Sequence, residues 1–296
     1  AYVLAGHGES DLPSSLQKDA ESEHYTFTSL SLLTEETVPD DADIVVIYAP
    51  QSDISESERD TLLNYLAGGG KMLMVLDYTD TAQPNLAAVM AQYGMTLEDG
   101  IVLEGDATHH MRGSNYYLLP DIDSHDITDP IKDGGYYILM PVARGLTLNT
   151  ALRSSLTVSA LLETSSDAYA KLDGYAMTTY DKEEGDLDGP FVLGAAASET
   201  TESGEEAQLV VFTSARMFEQ ATSSLVAGAN DDLFLNALDW MCERASAISI
   251  RTKSLDTEYL TVPTASASLL SAIFIGVLPL GFIIVGAVIT IMRRKR

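Results

Sequence analysis

The residues near the start of the chain that could do chemistry are Gly6, His7, Gly8 and Glu9, which follow a short apolar run. Glycine allows a tight turn and a close approach of a ligand, and His7 and Glu9 could hydrogen-bond a ligand or exchange a proton with it. Because open parallel sheets bind ligands at the carboxyl ends of their strands, this turn is a candidate ligand site. The alternative is an ordinary turn that contains a histidine and a glutamate.

Asp77 is the second candidate, since it directly follows the apolar run Met72 to Leu76. If both apolar runs are strands of one parallel sheet, Asp77 borders the same crevice as Gly6 to Glu9. The turn is not a phosphate loop, because the G-x-x-x-x-G-K-[ST] spacing is missing and Gly70-Lys71 precedes a strand. These residues therefore predict a crevice that binds carbohydrate or peptide. A further alternative is the active site of an unrecognised hydrolase.

A metal site is the other chemistry that the residue types suggest. Imidazoles and carboxylates, which suit zinc and related ions, are clustered at His109, His110, Asp121, Asp123, His125 and Asp126. No fixed-spacing motif such as H-E-x-x-H supports this site, and a polar surface loop is favoured. The G-x-S-x-G motif of serine hydrolases is also missing. The sequence therefore predicts no catalytic residue, no metal and no cofactor.

Composition excludes several classes of protein. The chain has 296 residues, a formal net charge of -27, 46% hydrophobic residues and a single cysteine, Cys242. The hydrophobic content is too high for a disordered acidic chain, and one cysteine excludes an internal disulfide framework. The negative charge repels a phosphate backbone, which argues against nucleic acid as a partner.

The first hundred residues alternate apolar runs with amphipathic stretches, which predicts the strands and helices that would position these residues. Ser55 and Glu58 form an S-x-x-E capping box for a helix that ends at Gly68. Three runs predict strands: Tyr2 to Ala5, Ile44 to Tyr48 and Met72 to Leu76. The pattern predicts an α/β fold with a mainly parallel, doubly wound sheet that is covered on both faces.

Further strands are predicted later in the chain, at Ile101 to Leu103, Tyr136 to Met140, Leu156 to Leu161, Phe191 to Ala195 and Leu209 to Thr213. Residues 104–135 are polar and carry little periodicity. The acidic stretches 181–189 and 198–206 are most simply solvated loops inserted between these strands. Asn230 is a good N-cap for a helix that runs through Glu243.

The segment from Leu269 to Met292 predicts a transmembrane helix, because its 24 residues contain no ionisable side chain. A helix of this length reaches roughly 36 Å, which is enough to cross a hydrocarbon core of about 30 Å. Within it, Ala272 and Gly276 form a small face where another helix could pack, and Pro279 locally interrupts the hydrogen bonding. The alternative for these three residues is contact with lipid.

The basic residues after this segment predict its orientation. Arg293, Arg294, Lys295 and Arg296 place the C-terminus in the cytoplasm and the large acidic region outside. The expected organisation is an extracytoplasmic α/β domain over 1–247, a juxtamembrane connection over 248–268, the membrane helix over 269–292 and a cytoplasmic tail over 293–296. Export of the domain requires an earlier signal or membrane span, so we expect the sequence to be a fragment of a longer membrane protein.

Several motifs occur in an order that resembles the GldG-like auxiliary proteins of ABC transport systems, a family first associated with gliding motility. They are the G-H-G-E turn at 6–9, DADIVVIYAP at 41–50, ISESERDTLLNYLAGGGKMLMVLD at 54–77, SHDIT at 124–128, PVARGL at 141–146, AQLVVFTSARMF at 207–218 and NDDLFLNALDWM at 230–241. A membrane helix containing proline, followed by an arginine-rich end, completes the match. The resemblance covers nearly the whole chain.

This resemblance implies a domain related to flavodoxin-like and class I glutamine amidotransferase-like folds, anchored beside a transporter permease. It also implies a missing N-terminal portion with its own membrane span. In the amidotransferases, the strand after the glycine-rich turn leads to a nucleophilic cysteine. Here Asp77 occupies that region and Cys242 lies far away in a helix, so thiol chemistry is not expected.

The resulting expectation is a noncatalytic, membrane-anchored accessory subunit of an ABC transporter, an exporter, whose outer domain serves in recognition or assembly. Its expected partners are a permease, a separate cytoplasmic ATPase subunit, another auxiliary envelope protein and membrane lipid. The alternatives remain an extracytoplasmic module that binds carbohydrate or peptide, and a hydrolase that uses the same crevice.

Overall fold

The first hundred residues form the strand and helix units that their apolar pattern predicts. The computed structural model describes residues 1–243 and 264–294. Its first elements are β1 Tyr2–Leu4, α1 Ser14–Ser22, β2 Thr28–Leu30, β3 Val45–Tyr48, α2 Glu56–Ala67, β4 Lys71–Val75 and α3 Pro84–Gln92. The predicted capping box is present, because Ser55 and Glu58 each accept a hydrogen bond from the backbone N–H of the other.

The remaining elements of the folded domain follow β4 and α3. They are β5 Met95–Leu97, β6 Ile101–Leu103, β7 His110–Met111, β8 Ser114–Leu118, β9 Asp121–Ile122, α4 Asp129–Asp133, β10 Met140–Pro141, β11 Leu146–Leu148, β12 Leu156–Glu163, β13 Tyr169–Lys171, β14 Leu187–Asp188, β15 Val192–Thr200, β16 Glu206–Phe212, α5 Gln220–Leu225 and α6 Ala229–Met241.

The large sheet is mixed, with a parallel half and an antiparallel half. Its order is β2-β1-β3-β4-β16-β15-β11-β5, with β12 beside β15 and β9 beside β12. In this spatial order, the neighbours among β2, β1, β3, β4 and β16 pair in parallel. From β15 onward, each strand pairs antiparallel with its neighbours. The prediction of a mainly parallel sheet is therefore right for the first half only. Residues 201–205 connect β15 to β16, and a connection this short permits only antiparallel pairing.

Strands β3 and β4 lie at the centre of the parallel half and are buried on both faces, as predicted. In β3, Val46 and Tyr48 contact a core cluster that includes apolar residues of α1 and α6. Val45 and Ile47 face the opposite side and join a second cluster with residues of α2 and α3. Alternate residues of one strand therefore support two separate cores, which explains the continuous apolar run in the sequence.

Three predictions between residues 134 and 243 differ from the structure, and the buried Asn230 takes part in the first two. Asn230 is fully buried inside α6, where its side chain accepts a hydrogen bond from the Leu139 N–H and donates to the Leu139 carbonyl. Tyr136 to Met140 is therefore not the predicted strand, and only Met140–Pro141 pairs as β10. Gly228, with a φ of 81°, occupies the N-cap position expected for Asn230, and α6 ends at Met241 rather than Glu243.

Residues 104–190 are more ordered than their sequence predicts. They form the sheet β10-β8-β7 and supply β13 and β14 to a second small sheet, β14-β13-β6. The acidic stretch 181–189 is tied to the protein, because the buried Lys171 ammonium lies 2.6 Å from Glu183 and 3.1 Å from Asp186. In the other acidic stretch, β15 and β16 extend into the predicted loop and leave only 201–205 as the turn.

The C-terminal region is helical in three consecutive segments. They are α7 Thr264–Ser271, a π-helix over Ala272–Val277 and α8 Leu278–Arg294. Among the residues that the structure describes, none of the individual helices combines the length and the apolar character needed to cross a bilayer. The predicted domain boundary at 247 and most of the predicted connection 248–268 lie outside the described residues.

Candidate functional site

The turn Gly6 to Glu9 lies where the strand order of the sheet reverses direction. Strand β1 is flanked by β2 on one side and β3 on the other, and α1 and α2 cover opposite faces of the sheet. Such a switch point opens a crevice at the carboxyl ends of the strands. The turn is fastened to the loop after β3, because the His7 carbonyl accepts hydrogen bonds from the N–H groups of Gln51 and Ser52.

His7 is buried between two carboxylates. Its Nδ1 lies 3.2 Å from Glu9 Oε1, and its Nε2 lies 3.2 Å from Glu58 Oε2. The side chains of His7, Glu9 and Glu58 are only 6%, 6% and 3% exposed. Both ring nitrogens of His7 are therefore engaged with carboxylate oxygens of this chain.

Glu9 also holds the backbone of its own turn. Its Oε2 accepts hydrogen bonds from the N–H groups of Gly6, at 3.0 Å, and His7, at 2.7 Å. Gly6 has a φ of +132°, and a Cβ atom there would lie 2.8 Å from Leu33 Cδ1. The glycine is therefore required by backbone conformation and close packing.

Glu58 links this turn to the start of α2. Burial raises the pKa of Glu58, but the hydrogen bonds from Ser55 and the adjacent His7 outweigh that effect and hold it below its usual value. Glu58 therefore stays ionised at neutral pH. It caps the helix and pairs with His7 at the same time, which joins the turn after β1 to the helix after β3.

Asp77 belongs to a different network, one strand further along the sheet. Its Oδ2 lies 3.6 Å from Arg216 Nε, and its Oδ1 accepts a hydrogen bond from the Tyr78 N–H. Burial raises the pKa of Asp77, and the nearby Arg216 offsets this only in part. The structure thus joins His7 to Glu9 as predicted for one turn, but it places Asp77 with Arg216, beyond β3.

Two tyrosines complete the surroundings of Asp77. Arg216 Nη2 donates to the Tyr175 hydroxyl at 2.6 Å, and the rings of Tyr175 and Tyr78 meet edge to face at 4.9 Å. Tyr78 donates to Asp80, and burial together with this carboxylate raises the pKa of Tyr78 to about 12. A Cβ at Gly174 would lie 1.7 Å from the Tyr78 hydroxyl oxygen, so only glycine allows this approach.

Four members of these networks were not predicted from the sequence: Glu58, Tyr78, Tyr175 and Arg216. Glu58 carried a signal for capping but none for pairing with His7, because 51 residues separate the two. The sequence shows that Arg216 follows the carboxyl end of a predicted strand, β16. It does not show that β16 is the neighbour of β4, which is what brings Arg216 to Asp77.

Two cavities lie at the amino-terminal edge of the sheet. One of about 460 Å³ is lined by residues that include Tyr25, Asp43, Tyr65 and Lys71. Another of about 290 Å³ is lined by residues that include Tyr2 and Asp41. Both adjoin Cys242, close to the end of the described domain. The predicted crevice residues lie at the opposite edge.

The histidines of the polar region are engaged in local contacts. His109 lies 3.2 Å from Asp106 and 3.4 Å from Asp121, and His125 packs against Trp240. Burial lowers the pKa of His125. Within residues 1–243 and 264–294, no three His, Cys, Asp or Glu side chains are arranged to hold a metal ion.

The predicted helix-packing residues lie in the C-terminal helical region. Ala272 begins the π-helix and Gly276 lies within it, while Pro279 is the second residue of α8. Space beside Gly276 is open, since a Cβ built there meets no atom within 4 Å among the described residues.

Comparison with known proteins supports a transport-related family. A family model described as an ABC-type uncharacterized transport system matches residues 2–243. A search of curated proteins finds no match. Among solved structures, the mmIFT52 N-terminal domain is 17% identical, with 81% of this chain and 96% of that chain covered and a TM-score of 0.58. The cytoplasmic protein STM3548 from Salmonella typhimurium is 12% identical, with 81% and 97% covered and a TM-score of 0.44. The first likeness concerns the fold alone.

Proposed function

This chain belongs to the family of auxiliary components of ABC-type transport systems, and we propose that it is a noncatalytic, membrane-anchored accessory subunit of an ABC exporter. The observation that carries this proposal is the family match, which extends over residues 2–243 and therefore over the whole described domain. ATP hydrolysis would occur in a separate cytoplasmic subunit. The outer domain would serve in recognition or in assembly with the permease.

The polar residues at the carboxyl edge of the sheet favour a role without catalysis. The ring nitrogens of His7 both face buried carboxylates, which leaves no ring nitrogen directed at a substrate. Asp77 follows β4, where the proposed resemblance to amidotransferases would place a nucleophilic cysteine, and it pairs with Arg216. An aspartate held by an ion pair is a poor substitute for a thiolate.

The proposed anchor is the segment 269–292. Its side chains are uncharged, and large apolar ones such as Leu269, Phe274 and Ile275 are exposed in the described chain. Exposed apolar side chains on a helical segment are stable in lipid rather than water. The basic residues that follow favour a cytoplasmic C-terminus and an extracytoplasmic domain.

A labelling experiment tests this topology. A cysteine introduced at Ser203, in the exposed turn between β15 and β16, is placed in a Cys242→Ser background that has no other thiol. An impermeant thiol reagent should label the introduced cysteine in intact cells that express the protein. Labelling only after lysis would reject the orientation.

The proposed partners are a permease, its ATPase subunit and another auxiliary envelope protein. Ala272 and Gly276 would allow a permease helix to approach closely, beside the interruption at Pro279. Replacing both small residues with leucine should weaken association with the permease in mild detergent, while Gly281→Leu, at another position on the helix, should not. The accessory role would be rejected if the wild-type protein recovered neither permease nor ATPase and His7→Ala abolished a measured hydrolytic activity.

A second candidate function is binding of a carbohydrate or peptide in the crevice beside Gly6 to Glu9 and Asp77. It is favoured by the position of the turn at the switch point of the sheet, where ligands of this fold class collect. Titration of the full chain with soluble oligosaccharides and peptides would test it. Binding that is lost in Gly8→Ala, while the variant still unfolds cooperatively, would support it, and a failure of every ligand to bind would reject it.

A further inference from the structure

Exposed tyrosines are concentrated on one part of the domain. Across residues 1–243, the exposed large apolar side chains are Leu33, Tyr136, Tyr137, Leu172, Tyr175 and Tyr180, so all except Leu33 fall between residues 136 and 180. Leu172, Tyr175 and Tyr180 are 48%, 51% and 54% exposed. Tyrosine is enriched in protein interfaces because it offers a large rigid surface with a polar tip.

Tyr175 and Tyr180 are linked through shared neighbours. The rings of Tyr116 and Tyr180 lie 5.4 Å apart, and Tyr116 and Met177, both half-buried, pack on the small core that contains Tyr78. Tyr175 contacts the ring of the same Tyr78. We call the surface made by Tyr116, Tyr175, Met177 and Tyr180 the tyrosine patch.

The tyrosine patch is held in place before any partner binds. The carbonyl of Tyr180 accepts hydrogen bonds from the Tyr169 hydroxyl and from the Asn115 amide. Gly174 packs directly against Tyr78, which fixes the turn that carries Tyr175. A surface that is already ordered loses little conformational entropy on binding.

The charge around the tyrosine patch is negative. Four cations in this region already face carboxylates of this chain: Arg216 faces Asp77, Arg144 faces Asp99, Lys182 faces Asp188, and Lys171 faces Glu183 and Asp186. Among the described residues, no lysine or arginine lies within ion-pair distance of Asp80, Asp173 or Asp181. These three acids therefore give the border of the patch an uncompensated negative charge.

We propose that the tyrosine patch binds a basic, arginine- or lysine-containing segment of a partner protein. Cationic side chains would lie against the parts of the Tyr175 and Tyr180 rings that remain exposed, and would pair with Asp173 and Asp181. The protein itself provides an example of this contact, since the Arg216 guanidinium lies 5.7 Å from the centroid of the Tyr175 ring. This inference concerns a surface separate from the membrane segment and does not rest on the proposed transport role.

A peptide titration tests the proposal. The full chain in detergent is titrated by calorimetry with a short peptide of alternating arginine and serine and with its counterpart in which glutamate replaces arginine. The arginine peptide should bind and the glutamate peptide should not. The combined change Tyr175→Ala and Tyr180→Ala should weaken binding about tenfold, because it removes two cation–π contacts. Asp173→Asn with Asp181→Asn should weaken binding and flatten its salt dependence.

A matched control separates the tyrosine patch from the general negative charge of the protein. Tyr136→Ala with Tyr137→Ala removes two exposed tyrosines that lie outside the patch, and it should change the affinity by less than about twofold. Fluorescence of Trp240 verifies that each variant is folded, since it is the only tryptophan. Equal weakening in the control, or no binding of the arginine peptide even at low salt, would overturn the proposal.

Discussion

The carboxyl edge of the sheet carries two polar networks that differ in their access to solvent. Around His7, all three members of the network are at most 6% exposed, and their hydrogen bonds are made with each other and with the backbone. Around Asp77, the carboxylate is 18% exposed, and its partner Arg216 is 40% exposed beside a tyrosine surface. One network is closed and the other is open.

This difference shows that position in a fold does not by itself identify a binding site. Both networks follow strands of the same parallel half-sheet, where ligands commonly bind. In the closed network the histidine and the two glutamates join β1 to α2 and so stabilise the fold. The open network leaves a charged and aromatic surface available to a partner.

The largest expected effect comes from breaking the closed network. His7→Ala leaves Glu9 and Glu58 buried without their shared partner, and we expect it to lower the free energy of unfolding by about 3–5 kcal/mol. The measurement is urea unfolding followed by the fluorescence of Trp240, which lies on α6.

His110→Ala is the matched control for this prediction, since its ring makes a local hydrogen bond to the Met111 carbonyl. The control should lower the free energy of unfolding by less than about 1 kcal/mol. If His7→Ala had no larger effect than His110→Ala, the closed network would not be a structural element, and ligand binding at this turn would gain support.

The next largest effect should come from Gly174, which supports the open network. In Gly174→Ala the new methyl group would overlap the Tyr78 hydroxyl, and the residue has a φ of +54°. We expect a loss of about 2 kcal/mol in the free energy of unfolding and displacement of the turn that carries Tyr175. Gly185→Ala, also at positive φ but in open space, should cost less. Equal losses would mean that only backbone strain is measured.

The local elements of the parallel half could be predicted from the sequence because their signals are local. The capping box of Ser55 and Glu58 lies within one helical turn, and the apolar run 44–48 reports burial on both faces directly. Gly6, His7 and Glu9 were also identified correctly as one turn. Their hydrogen bonds span at most three residues.

The rest depends on contacts between distant residues. Asn230 has the right residue type for an N-cap, but its bonds to Leu139, 91 residues away, fix it inside the helix instead. Lys171 likewise converts an acidic stretch from a solvated loop into an attached one. Partners of this kind are set by tertiary packing, which overrides local preference.

The pH dependence of stability should separate the two networks by sign. The pKa of Glu58 is lowered from its usual 4.5, so its stabilisation is present above that pH and is lost as the pH falls through the folded value. The pKa of Asp77 is raised from its usual 3.8, so its stabilisation is present below that pH and is lost as the pH rises through the folded value.

Unfolding measured between about pH 3 and pH 7 should reveal these opposite slopes. Glu58→Gln should reduce the loss of stability in acid, and Asp77→Asn should reduce the loss on raising the pH. Burial raises the pKa of Asp231 to about 7, which acts in the same direction as Asp77, and an Asp231→Asn background removes this contribution. If Glu58 and Asp77 contributed slopes of the same sign to the plot of stability against pH, their opposite pKa shifts would be contradicted.

The smallest effect is expected for Arg216→Ala in the open network. The ion pair with Asp77 spans 3.6 Å and is partly solvated, so its removal should lower the free energy of unfolding by only about 0.5–1 kcal/mol. Asp77 already has a raised pKa, and without Arg216 it can take up a proton or contact water rather than remain a buried charge. The surface pair of Arg153 and Glu199 provides the comparison, since Arg153→Ala also removes a partly exposed cation. If Arg216→Ala destabilised the domain as strongly as His7→Ala, both networks would hold the fold together and the distinction between a closed and an open network would fail.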